Sequence, residues 1–317
     1  MTILDIDQPV APPPRRKGRR GRATALAGTD RLTLGLMLGI PTLLVLALIW
    51  GPALASVALS FTEWDGVGGL SDIRWVGLQN YADIFTTYPR FWPAVQHNLI
   101  WLAFLIVLPT AFGLFLAVLL DRKLRFGRLY QSVLYMPVVL SLALTGFIWQ
   151  LMYNPDQGLI NSLIGHAHTD QINWLGNPDL NLYAVLVAAG WKHTGYVMLL
   201  YLAGLKAVDP SLKEAAQLDG ANGWQTFWQV TFPVLRPINV IVLVITVIEG
   251  LRAFDIVYAL NRGRNGLELV SVLITDNIIG ESSRIGWGSA LAVILLVISL
   301  GFIVTYLVQV FRKEERS

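Results

Sequence analysis

Between two long apolar runs lies LKAVDPSLKEAAQLDGANGWQTFWQVTFPVLRP, residues 205–237, a polar stretch that reads as two short helices around a turn. Asp209 caps a helix whose first position is Pro210, where a missing N–H costs nothing. Leu212, Ala215, Ala216 and Leu218 fall on or near one face of that helix, with Lys213, Glu214 and Gln217 beside them. Gly220 ends it, because only glycine enters the left-handed conformation of a sharp helix end without steric cost. Asn222 with Gln225 three residues later reads as a capping box that opens a second helix, which stops before Pro233. The spacing predicts an elbow between two membrane segments, 205–237 in all.

Composition says what surrounds it. Of 317 residues, 54% are hydrophobic and 14% charged, against roughly 25% charged in a soluble domain. A bilayer core of about 30 Å takes about 20 apolar residues per helix, and the apolar runs supply six: 32–59, 99–120, 129–151, 182–204, 240–260 and 287–311. The first is expected to bend or break near Pro52, and it is too long for the apolar core of a secretory signal. The expected fold is therefore an all-α membrane protein with six transmembrane helices. Residues 1–31 form a basic, disordered cytoplasmic tail, 32–312 the membrane domain and 313–317 a second short tail.

Orientation follows from the basic residues, which collect on the cytoplasmic side of membrane proteins. Of the 24 Lys and Arg, 17 lie at the two ends, in the turn 121–128 or in the elbow, and 5 lie in the alternate loops. Both termini and the elbow are expected in the cytoplasm. Because the basic residues are sorted by membrane side, the net charge of +3 is no argument for nucleic acid.

At matching spacing, Glu214-Ala215-Ala216, Asp219-Gly220-Ala221, Phe227, Pro233, Leu235 and Pro237 resemble the EAA loop of inner-membrane permease subunits of ABC importers, in the variant of carbohydrate uptake. Residues 75–81, 154–161 and 174–175 resemble the same family's external loops, so the likeness spans roughly 32–312. It implies that the elbow is a coupling helix docking into a cytoplasmic ATPase, with Glu214, Ala215, Ala216, Asp219, Gly220 and Pro233 as its coupling residues. It also implies a second homologous permease, two ATPase subunits that hold the ATP and Mg, and an extracytoplasmic solute-binding protein. After Phe254-Asp255 the family continues into a Thr-x-Gly-Gly-Pro turn, whereas this chain has Asn261-Arg262-Gly263-Arg264-Asn265.

The two remaining basic residues, Lys192 and Arg252, sit near the middle of spans, where a charge needs a partner or a wet cavity. Glu249, Arg252 and Asp255 at i, i+3 and i+6 are expected on one helix face. They either line the solute path, with Trp191 and His193 flanking Lys192, or form an ion-pair network with Lys192 that orients the bundle. A coupling elbow aside, 205–237 also reads as an amphipathic helix lying on the membrane surface.

The chemistry of an enzyme is missing from the motifs. No Gly-x4-Gly-Lys-Ser/Thr loop cradles a phosphate, and no Gly-x-Ser-x-Gly or HExxH occurs. His166 and His168 form an HxH near Asp170, read as a solvated loop rather than a metal site. There is no cysteine. No cofactor is expected on this chain. The alternative to a non-catalytic permease subunit is a self-contained secondary transporter or channel, which needs no elbow for an ATPase.

Overall fold

The computed structural model describes residues 28–122, 124–166, 170–280 and 283–314. Most of the basic tail, Lys123 and His168 lie outside these residues. The chain divides into two units, 1–53 and 54–317.

The first unit holds α1 (Gly28–Val45), a π turn (Leu46–Trp50) and the start of α2 (Gly51–Leu59). The Gly51 N–H reaches back five residues to the Leu46 carbonyl. Where a bend or break was expected near Pro52 the helix has that widened turn, and Leu32–Leu59 runs on as one apolar span of 28 residues.

After the end of α2 the second unit has a ribbon of two-residue strands, β1 (Thr62–Glu63) and β2 (Arg74–Trp75), paired antiparallel, which the all-α expectation lacked. It is pinned to α3 (Gln79–Thr86) by Asn80, which donates to the Ser60 and Thr62 carbonyls at 2.9 and 2.8 Å. Next, α4 (Phe91–Asp121) runs 31 residues, longer than the expected 99–120. Pro109 deprives the Leu105 carbonyl of its helical donor, and Thr110 Oγ1 takes that carbonyl instead at 2.8 Å.

The expected span 129–151 is two helices, α5 (Gly127–Val139) and α6 (Leu142–Met152), bent by 99°. Two residues cause the corner. Pro137 removes a helical donor, and Ser141 caps α6 by accepting from the Leu144 N–H at 3.2 Å. After α7 (Leu159–Leu163), α8 (Asn181–Ala207) packs on α4 at glycine positions. A Cβ on Gly113 would lie 3.0 Å from the Thr194 carbonyl, and one on Gly190 would lie 2.9 Å from the Phe104 ring, the small-residue contact by which membrane helices approach closely.

The elbow follows as α9 (Pro210–Leu218), α10 (Gly223–Thr226), a π turn (Phe227–Thr231) and α11 (Phe232–Val234), leading into α12 (Arg236–Leu251). The expected span 240–260 is broken: α12 ends at Leu251 and α13 (Asp255–Asn261) starts afresh. Two helices complete the unit, α14 (Val270–Ile278) in what was read as loop and α15 (Ile285–Glu314).

Three helices among the described residues are long and apolar enough to cross a bilayer, Leu32–Leu59, Phe91–Asp121 and Ile285–Gln309, and the bent α5–α6 pair makes four if it is one span. The 16 residues of α12 cover about 24 Å at 1.5 Å per residue, short of the hydrocarbon core. Three buried clusters lie along the unit: Trp101, Trp149, Leu186 and Val257 in one, Leu116, Met198, Leu205 and Leu235 in the next, Ile84, Phe91 and Leu291 in the third. The second of these is the seat of the elbow.

Candidate functional site

The elbow is built by its own short-range bonds. Asp209 accepts from the Ser211 N–H at 2.9 Å, and this hydrogen bond holds its carboxyl below the usual value. Gly220 takes φ +85°. Around it the Ala221 N–H returns to the Ala216 carbonyl at 2.9 Å and the Gly220 N–H to the Gln217 carbonyl at 3.1 Å, the paired bonds of a Schellman end. The capping box closes in both directions, Asn222 N–H to Gln225 Oε1 and Gln225 N–H to Asn222 Oδ1, each 2.9 Å.

One expectation fails locally: the second helix does not stop before Pro233. Pro233 sits in α11 behind the π turn, where the hydrogen-bond register changes and its absent N–H falls in the first turn of the new segment. Ala216 is buried, whereas Glu214, Ala215, Asp219 and Gly220 are exposed. Leu212 and Leu218 are exposed too, Leu218 at 89%. Sequence reasoning missed the aromatic group that follows, in which Trp224 meets Trp228 at 5.6 Å and Trp228 meets Phe232 at 4.9 Å between ring centres; the i, i+4 spacing of the three rings was the available signal.

Farther along the same helices lies a cavity of about 390 Å3, bounded by α4, α8, α12 and the break after α12. Lys192, Glu249, Arg252 and Asp255 all line it, with His193 and Tyr196. They meet there for a different reason from the one expected. Glu249 is on α12, Arg252 caps its end and Asp255 opens α13, so no single helix face carries the three. The break is held from outside by α4 and α14: Asn98 accepts from the Val270 N–H at 2.9 Å and reaches the Gly250 carbonyl at 3.5 Å, while Ser271 donates to the Ala253 carbonyl.

Lys192 donates to the Leu140 carbonyl at 2.7 Å, the acceptor left open at the α5–α6 corner. None of the ion pairs among the described residues includes Lys192, Glu249, Arg252 or Asp255. Trp191 does not line the cavity; its ring packs edge-on against Trp149 at 5.8 Å. His193 Nε2 meets Thr246 Oγ1 at 3.0 Å, and since that hydroxyl already donates to the Val242 carbonyl, the imidazole is the donor. Among the described residues no group of three His, Cys, Asp or Glu could hold a metal, and His166 turns its Nδ1 to the Asp170 carbonyl at 2.8 Å.

The chain is thus a helical membrane unit with charged side chains in a cavity between its helices and a capped, exposed elbow. Residues 78–317 match the binding-protein-dependent transport system inner membrane component, and the chain belongs to that family. It is 33% identical to the xylose/arabinose import permease protein XacH of Haloferax volcanii, over 85% of each chain. To the trehalose/maltose transport system permease protein MalF of Thermococcus litoralis it is 30% identical, covering 89% of this chain and 95% of that one. Its fold is that of a chain in the crystal structure of a bacterial ABC transporter that imports the acidic polysaccharide alginate, with TM-score 0.77 at 19% identity, over 90% of this chain and 96% of the other. A chain in the crystal structure of a bacterial alginate ABC transporter in complex with an alginate pentasaccharide-bound periplasmic protein has the same fold, with TM-score 0.74, 19% identity and coverage of 88% and 93%. The chain is a multi-pass inner-membrane component of a binding-protein-dependent transport system, a permease of the ABC importer kind.

Proposed function

We propose that this chain forms half of the translocation pore of a sugar importer and passes the work of a cytoplasmic ATPase into the membrane. The observation that carries the reading is the elbow: a rigid, doubly capped helix–glycine–helix whose outer face leaves Glu214 and Ala215 exposed, in a chain of this family. A second homologous permease completes the pore, two ATPase subunits hold the ATP and Mg, and a solute-binding protein delivers from outside. The chain itself catalyses nothing and binds no cofactor. It crosses the membrane six times with both termini and the elbow in the cytoplasm, which the 17-to-5 division of basic residues supports. In this reading the short α12 and the bent α5–α6 pair complete spans together with the segments beyond their breaks. The domain boundaries are 1–31, 32–312 and 313–317.

The sugar class rests on relatives named for xylose/arabinose, trehalose/maltose and arabinooligosaccharides. Glu249, Arg252 and Asp255 are the cavity groups free to meet a polyhydroxyl solute, while Lys192 holds the corner of α5 and α6. A self-contained secondary transporter or channel would keep the cavity and have no use for the elbow. Purification of a tagged chain from mild detergent separates the two: ATPase subunits should come with it, and a functional complex without them would overturn the assignment.

A further inference from the structure

Asp121 is the last residue of α4, an unfavourable place for a carboxylate because the C-terminal end of a helix carries partial negative charge and unpaired carbonyls. Two ammonium groups make the position tenable. Lys206 Nζ lies 2.9 Å from Asp121 Oδ1, and Lys213 Nζ lies 3.1 Å from Oδ2. Lys206 also reaches the Asp121 main-chain carbonyl at 3.3 Å.

The two lysines come from different bodies. Lys206 stands in the last turn of α8, within the bundle and at the helix end where a cation is favoured. Lys213 stands on α9, across the turn at Val208 and Asp209, and belongs to the elbow. It is the more deeply set of the pair, its side chain 31% exposed against 59% for Lys206, over a carboxylate that is 21% exposed. The rest of α9 has little hold on the bundle, since Ala216 is its one buried residue.

We propose that Asp121 is a positioning residue for coupling: it latches the elbow to α4 through Lys213, so that displacement of the elbow reaches α4 directly as well as through its covalent ends in α8 and α12. The inference rests on the elbow's being the ATPase contact. Near its middle α4 places Trp101 and Leu105 in the wall of the charged cavity, so the latch joins the cytoplasmic surface to the solute path along one helix, with Pro109 between the two. Two lysines make it releasable. When Lys213 is drawn away, Lys206 remains to neutralise Asp121.

The chain has no cysteine, so spin labels at Arg125→Cys and Gln217→Cys, both exposed positions, report the spacing of the α4–α5 turn and the elbow in the assembled complex with cysteine-free partner subunits. Lys213→Gln should broaden that distance distribution. It should also lower ATP hydrolysis, compared at equal ATPase-subunit content, by about two- to fivefold, the range an exposed ion pair commands. Lys213→Arg, which keeps the pairing charge, should restore both readings, and Lys206→Gln should leave the distribution narrow. The proposal is overturned if the two glutamine variants behave alike, if Lys213→Gln leaves the distance unchanged, or if the distance broadens while hydrolysis holds. A wild-type complex that retains no ATPase subunit would overturn the functional assignment and with it the coupling role. In that case the label pair still reports separately whether Lys213 holds the elbow to Asp121.

Discussion

Replacing Gly220 with valine loads a single backbone torsion. The residue sits at φ +85°, and a Cβ added there would meet no atom within 4 Å, so the cost that follows from the first side-chain carbon is conformational. An L-residue held in the left-handed region costs about 1–2 kcal/mol, and a β-branched one falls at the upper end because that region is a true outlier for it. Such a cost lowers the population of the native turn relative to its alternatives by a factor of about 5–30. The two Schellman bonds, at 3.1 and 2.9 Å, go with it. Gly220→Asn, a residue that tolerates this region, should behave nearly as wild type, with Gly220→Ala between. In the reconstituted complex the measurements are ATPase-subunit retention and hydrolysis at equal protein. Valine should impair one or both severalfold while the chain still inserts. Equal behaviour of valine, asparagine and glycine would mean that the partner does not read the shape of this turn, and the coupling assignment would lose its support.

Reporters fused after Arg125 or Gln217 should read cytoplasmic and those after Asn80 or Gly266 external; an external Gln217 would end the topology. Lys192→Met strips the donor from the Leu140 carbonyl and should destabilise the complex by about 1–3 kcal/mol, read as a lowered melting temperature in detergent. The exchange Lys192→Glu with Glu249→Lys should not restore assembly, because it points a carboxylate at that carbonyl, and recovery of both assembly and uptake would show an ion pair instead. Gly195→Ala places a Cβ 2.6 Å from the Leu134 carbonyl and should cost about 1–3 kcal/mol by forcing α5 off α8; unchanged thermal stability would refute that close packing.

The elbow was legible because its determinants are local: cap, proline, glycine and capping box lie within a few residues of the backbone groups they satisfy. The corner after α5 was legible in principle, since Pro137 and Ser141 announce it, but both stand inside a run apolar enough to read as one span. The end of α12 was not. No proline marks it, and the groups that stabilise the open backbone, Asn98 and Ser271, come from helices far off in sequence, so periodicity continued through Arg252 to Asp255 where the chain turns. The same limit explains Trp191. Its neighbours in sequence suggested a wall of the path, whereas its environment is set by where α6 goes after the corner.

The two breaks and the charged cavity account for one another. Open backbone at membrane depth is tolerated only where protein covers it or water reaches it, and here both breaks give onto one cavity: Val138 and Leu142 flank the first, and Arg252 to Asp255 form the second. Lys192 reaches the first through its ammonium, which is how a lysine midway along α8 is held without a close ion pair, Glu249 acting on it only from a longer distance. Among the described residues, the guanidinium of Arg252 and the carboxylates of Glu249 and Asp255 enter no ion pair. Charges left open in this way require water or a solute in the cavity, and a break in α12 that α14 and Asn98 hold in place is what brings all three to it.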